Sequence, residues 1–320
     1  MKRALLMLVP TVFLVLVGAF ADDYFVEIVG MALLFGLFAA AVDFSWGRAG
    51  VLTLGAALYF GIGAYFVAFG LRAGWGFVAS VAAGTCASLI VAALIGATAL
   101  RVRASTIQFG LMTLVASLSA QQLAVSLYDL AGGSNGISGV AKPTIQVLGS
   151  VIDFSGGSRY FSLVSVVTLL GLGALWWLAS GHFGRLALCV RESDERVAAF
   201  GYDPMMVKLT ASMITAAVAA VAGALFVPFS GIAEPGLFAV RPNMLVLVWV
   251  ALGGQSTLVG PFFAAVLLQI LQFELGSQFE DIYLLLVGLV FVVSVRSSGG
   301  RGLLALAVPR LWRRRSGFTP

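Results

Sequence analysis

Charge is expelled from stretch after stretch of this chain. Residues 75–100, 104–127 and 160–180 carry no Asp, Glu, Lys or Arg at all, and residues 24–42 carry one carboxylate, Glu27. A helix needs roughly 20 apolar residues to cross the hydrocarbon core of a bilayer, and each of these runs meets that length. Soluble domains hold about 25% charged residues, whereas here 10% are charged and 60% hydrophobic. The runs are continuous rather than alternating in short segments, which excludes a β-barrel and leaves α-helices, whose backbone groups are satisfied within each span. The expected fold is therefore all-α, a polytopic helical membrane protein.

In chain order, residues 1–21 open with Lys2 and Arg3 and close with Ala19, Phe20 and Ala21, a pattern that fits a first span or a cleaved signal segment. Further spans are expected over residues 24–42, 49–71, 75–100, 104–127, 160–180, 205–229 and 282–295, with a long polar connection at 129–159. Residues 243–273 are 31 apolar residues interrupted at 253–257. Two full spans and a turn want about 40, so two short helices meeting inside the protein are expected there. The total is about nine or ten spans in one domain, residues 1–320, with broken helices in the C-terminal third and a basic tail at 296–320. Fifteen of the 19 Lys and Arg residues fall on the side that holds both termini. By the positive-inside rule that side is the cytoplasm. The net charge of +5 thus reports orientation and lipid headgroup contact, not nucleic acid. Cys86 in a span and Cys189 in a charged loop are not placed to pair, and His182, the one histidine, leaves too few ligands for a metal.

The longest charged interlude between spans is residues 184–204. Arg191 and Glu195 are four apart, as are Glu192 and Arg196, a spacing that pairs side chains on a helix. Gly201 stands where helices end in a left-handed turn, and Pro204 stops any continuation. One amphipathic helix over residues 185–200 is expected, either a solvated connector or a docking surface.

Missing chemistry narrows the function. No carboxylate or histidine lies in the middle of a span, where proton-coupled carriers keep them. Sodium coupling stays open, because carbonyls at broken helices can bind that ion. The chain has no phosphate-cradling Gly-Lys-Ser/Thr motif and no nucleophile, base and acid set, so it is not read as an enzyme and needs no cofactor. Uncharged polar residues do occur in spans: Thr53, Gln108, Thr113, Ser117 and Gln121. They either join helices by hydrogen bonds or line a polar path. Ser134 and Asn135 lie in a glycine-rich external turn.

Four ordered segments resemble one family: Gly47-Arg48-Ala49-Gly50 with the glycines that follow, Gly132 to Ile137, Arg191 to Tyr202, and Leu252 to Pro261. They resemble the branched-chain amino acid ABC importer permeases over about residues 30–296. That resemblance implies a membrane subunit of the bacterial inner membrane. Its partners would be a second permease, cytosolic ATPases and a periplasmic solute-binding protein. The coupling helix to the ATPase would carry Arg185, Arg191, Glu192, Ser193, Glu195, Arg196, Phe200 and Gly201. Thr53, Gln108, Thr113, Ser117, Gln121, Ser134 and Asn135 are candidates for the translocation path. Alternatives are a permease for urea or short amides, a sodium-driven carrier working without an ATPase, and a membrane scaffold that moves nothing.

Overall fold

The computed structural model describes residues 23–102, 104–140, 142–147, 150–154, 157–276 and 288. The expected segments at 1–21, 282–295 and 296–320 lie outside the described residues. Five described helices are long and apolar enough to cross a membrane, and three shorter apolar ones, Ala57–Arg72, Val240–Gly253 and Val259–Phe273, accompany them.

Helix α1 (Asp23–Asp43) is apolar all round, which is the pattern of a helix buried on every side. It runs through the middle of the bundle and packs against α6 (Gly157–Ser180), α9 (Pro204–Ser230), α10 (Val240–Gly253) and α11 (Val259–Gly276). Its continuation, Phe44–Arg48, widens into a π turn. Helix α9 is the second central element and packs on α2 (Ala57–Arg72) and α3 (Phe77–Arg101). The Asp203 carboxylate caps α9 by accepting from Met205 N at 2.9 Å, and Pro204 occupies the first turn, where its missing N–H costs nothing. The α2–α9 crossing is close because both sides are glycine: a Cβ on Gly63 would collide with the Ala220 backbone, and one on Gly223 with that of Phe60. Phe35 stacks on Phe60 at 5.4 Å and meets Phe226 and Trp249 edge-on at 5.3 and 5.6 Å, which locks α1, α2, α9 and α10 together.

Burial separates centre from perimeter. The spans at Tyr24–Arg48 and Pro204–Ser230 are 78% and 67% buried, whereas α3, α4 (Thr106–Ser126) and α6 are 22–28% buried. Ile90, Leu94, Val115 and Leu170 point outward from these three, the arrangement of a lipid-facing ring.

Two expectations are corrected. The third span is not helical from residue 49 onward: its helix starts at Ala57, and residues 50–56 are unwound where Gly50 turns left-handed at φ +69°. Val51 N instead bonds back to Ser45 O at 3.0 Å. The polar connection at 129–159 carries short elements of its own. It holds α5 (Tyr128–Ala131), a 3-10 turn (Gly133–Asn135), β1 (Ile137–Ser138), and a hairpin of β2 (Thr144–Val147) with β3 (Ser150–Asp153). Strand β1 pairs antiparallel with β4 (Ile232–Ala233), just after α9. Lys142 reaches Glu27 at 2.5 Å, tying the connection to the start of α1. The pair of short helices expected over residues 243–273 is present as α10 and α11, joined by residues 254–258.

Candidate functional site

At the end of the bundle where α1 finishes and α9 begins, the charged interlude stands out from the helices. It forms two helices rather than the one expected over residues 185–200: α7 (His182–Glu192) and α8 (Asp194–Ala199). Ser193 breaks them apart with extended backbone, φ −163° and ψ 113°, and its hydroxyl caps α8 by accepting from Arg196 N at 3.4 Å. The break interrupts the spacing that would have paired Arg191 with Glu195 and Glu192 with Arg196. Asp194 pairs instead with Lys208 of α9 at 2.5 Å. Ala187, Val190 and Val197 are buried against the bundle, while Arg185, Glu192, Glu195 and Arg196 are exposed. Gly201 ends the element in the left-handed conformation as expected, at φ +84°. Before it, Phe200 is 82% exposed, and Tyr202 and Met206 are exposed nearby in sequence, leaving apolar surface uncovered on a charged handle.

Arg191 behaves differently from its neighbours. Its Nη1 donates to the Gly47 carbonyl and, at 2.8 Å, to Ser256 Oγ; its Nη2 donates to Gln255 Oε1 at 3.2 Å. Ser256 Oγ donates in turn to Gly47 O. Below this contact lies the fully buried Asp43, whose carboxylate accepts from Ser256 N at 2.7 Å and Leu258 N at 2.8 Å. Arg48 completes the cluster by donating to Ala179 O at 2.9 Å and Ser256 O at 3.3 Å. Two guanidinium groups and a carboxylate thus join the π turn after α1, the end of α6, the handle, and the loop between α10 and α11. Charge-assisted bonds of this sort are about twice as strong as neutral ones.

A second polar seam lies deeper. The fully buried Asn243 accepts from Ala57 N at 2.8 Å and donates to Ser117 Oγ at 3.1 Å and Ala239 O at 2.9 Å. Ser117 donates to Phe238 O at 2.8 Å. Thr113 donates to Gly110 O at 2.7 Å and accepts from Gly55 N at 3.1 Å, and Thr53 meets Ser45 at 3.3 Å. The first turn of a helix leaves N–H groups without intrahelical partners. Asn243 supplies one for α2 from a different helix. The first residue of α2 is thereby tied to the fourth residue of α10 inside the protein.

The expected path residues divide in two. Thr53, Thr113 and Ser117 are buried and hydrogen-bonded, whereas Gln108 is exposed and Gln121 half-buried on the outer part of α4, and Ser134 and Asn135 are exposed beyond its far end. Gln108 also closes a capping box with Ser105, its Oε1 accepting from Ser105 N at 2.8 Å. Sequence reasoning passed over Asp43, Arg48, Asn243 and Ser256. Asp43 carried a signal: a carboxylate at a helix C-terminus opposes the helix dipole and needs donors from elsewhere.

Comparison with known proteins agrees with this architecture. The family described as branched-chain amino acid transport system, permease component, matches residues 24–295. Two curated relatives are named high-affinity branched-chain amino acid transport system permease protein LivM. The one from Salmonella typhimurium is 28% identical over 306 residues, covering 89% of this chain and 71% of its own. The one from Escherichia coli strain K12 is 27% identical with the same coverage. No solved structure matches. With some 270 consecutive residues matched and a helical membrane bundle to house them, the chain belongs to the family of branched-chain amino acid transport permeases.

Proposed function

We propose that this chain is one membrane subunit of an ATP-driven importer that moves branched-chain or related amino acids from the periplasm to the cytoplasm. It works with a second permease, cytosolic ATPases and a periplasmic solute-binding protein, in the bacterial inner membrane with both termini cytoplasmic. Residues 184–204 are the coupling loop and residues 296–320 a basic cytosolic anchor. The observation that carries this reading is the handle itself. Arg185, Glu192, Glu195, Arg196 and the apolar Phe200 are all exposed on a capped element of a chain with no nucleotide-binding motif of its own. An exposed apolar anchor with exposed charges on the same short segment is the form of a docking surface. Ser193 and Gly201 set the ends of its short helix, and Arg191 ties it to the bundle.

The solute path runs along α4, where exposed amides would be poorly satisfied by lipid alone. Gln121 lines it on the helix face of Ser117; Thr53 and Thr113 form the layer behind, Ser134 and Asn135 stand near its outer mouth, and Gln108 stands at the opposite end of α4. The relatives named for branched-chain amino acids supply the solute class.

Replacing Glu192 and Glu195 together by Lys tests the reading in mild detergent. The wild-type chain brings down an ATPase and a second permease, and the variant folds but loses the ATPase and the uptake of labelled leucine. Unchanged recovery of the ATPase with the double variant would refute the assignment.

A further inference from the structure

We infer that Asp43, Ser256 and Arg191 form the joint through which the handle moves the two broken helices. The inference rests on the importer reading above and deepens it. Among the described residues, the non-glycine positions with left-handed backbone are Ser256 at φ +69° and Leu258 at φ +61°. Side chains make that conformation unfavourable, and it persists only where surroundings enforce it. Both of these residues give their N–H to the same buried carboxylate, Asp43, at 2.7 and 2.8 Å. The two oxygens of this carboxylate on α1, with Arg48 on the Ser256 carbonyl, thus hold the loop between α10 and α11 in a strained shape.

Arg191 of the handle grips the same loop from outside, through Ser256 Oγ and Gln255 Oε1, and with the same guanidinium holds Gly47. Gly50, where the unwound segment begins, packs where a Cβ would lie 3.2–3.4 Å from Arg191 Cγ, Cα and Cβ. One side chain therefore touches both places where the membrane helices are broken, residues 50–56 at Gly50 and 254–258 at Gln255 and Ser256. The far ends of those breaks lead to Ala57 and, through α10, to Asn243, which are bonded to each other at 2.8 Å inside the bundle. A shift of α7 pulls on both breaks together, and their linked helix starts must follow. Arg191 is exposed like its neighbours, but its guanidinium is bonded to the bundle, which makes it a positioning residue; the ATPase contact is left to Glu192, Glu195, Arg196 and Phe200. A π turn, the feature that carries Gly47, is common at functional sites.

The test uses the complete transporter in proteoliposomes, with wild-type, Arg191→Ala, Arg191→Lys, Ser256→Ala and doubly substituted chains. It measures labelled leucine imported per ATP hydrolysed. Arg191→Ala is expected to keep the ATPase bound and hydrolysing while the ratio falls about tenfold, within the range of measured couplings between sites. Arg191→Lys recovers part of it, Ser256→Ala falls in the same direction by less, and the double variant is no worse than Arg191→Ala. An unchanged ratio in Arg191→Ala overturns the joint, as does loss of the ATPase from that variant, which makes Arg191 a docking residue. Failure of the wild-type chain to bind any ATPase removes the importer reading and the joint with it.

Discussion

Asn243 is the residue whose removal discriminates most sharply between two magnitudes. Hydrogen bonds between membrane helices contribute about 0.6 kcal/mol each on average, because side chains find other partners in the unfolded state. Asn243 is in a different position, since what it satisfies is the backbone N–H of Ala57 at the start of α2, inside the bundle and beyond the reach of water. In Asn243→Ala that donor has no acceptor, which costs about 1–3 kcal/mol for a buried group left unmade. The lost contacts to Ser117 and Ala239 and the emptied volume add to it. The expected destabilisation is about 2 kcal/mol or more, roughly a 30-fold fall in the ratio of folded to unfolded protein. Ser117→Ala should cost nearer 0.6 kcal/mol, because Asn243 keeps its bonds to Ala57 and Ala239. Unfolding of both variants by denaturant in detergent micelles measures the difference. Equal, small losses for the two would refute the claim that Asn243 holds the start of α2 to α10.

The proposed path on α4 predicts that Gln121→Leu lowers labelled leucine uptake without loss of the folded complex. Gln108→Glu separates two roles, because Glu preserves the capping box and suits a helix N-terminus, so altered uptake in that variant places the side chain on the path and normal uptake leaves it a cap. Phe200→Ala should weaken recovery of the ATPase less completely than the Glu192 and Glu195 exchange, since it removes the anchor and leaves the charges; full recovery would remove Phe200 from the docking surface.

Much of this bundle is written in local pattern. The spans follow from runs of apolar residues; the end of the handle follows from Gly201; the start of α9 follows from Asp203 and Pro204; the pair α10 and α11 follows from a run too short for two crossings. The split of the handle at Ser193 was also legible, because Ser followed by Asp194 and Glu195 is a helix start inside what the four-residue charge spacing reads as one helix. The charge spacing was the louder signal and the wrong one. Gln108 shows the same competition: Ser105 three residues earlier makes a cap, whereas polarity within an apolar run suggests a lining. The junction is a different matter. Asp43 meets residues 213 and 215 positions away, and Arg191 meets Gly47 at a separation of 144. Nothing within a window of the sequence announces such partners, and the unwinding of residues 50–56 depends on them as well as on Gly50.

The central claim is that the handle lies in the cytoplasm, where a separate ATPase covers it. Cys189 is exposed on α7 and reports on this directly once Cys86 is replaced by Ser. A membrane-impermeant maleimide should label Cys189 in inverted vesicles stripped of the ATPase, label it more slowly when the ATPase is restored, and leave it unlabelled in intact spheroplasts. Labelling in intact spheroplasts would place the handle on the periplasmic side and contradict the account.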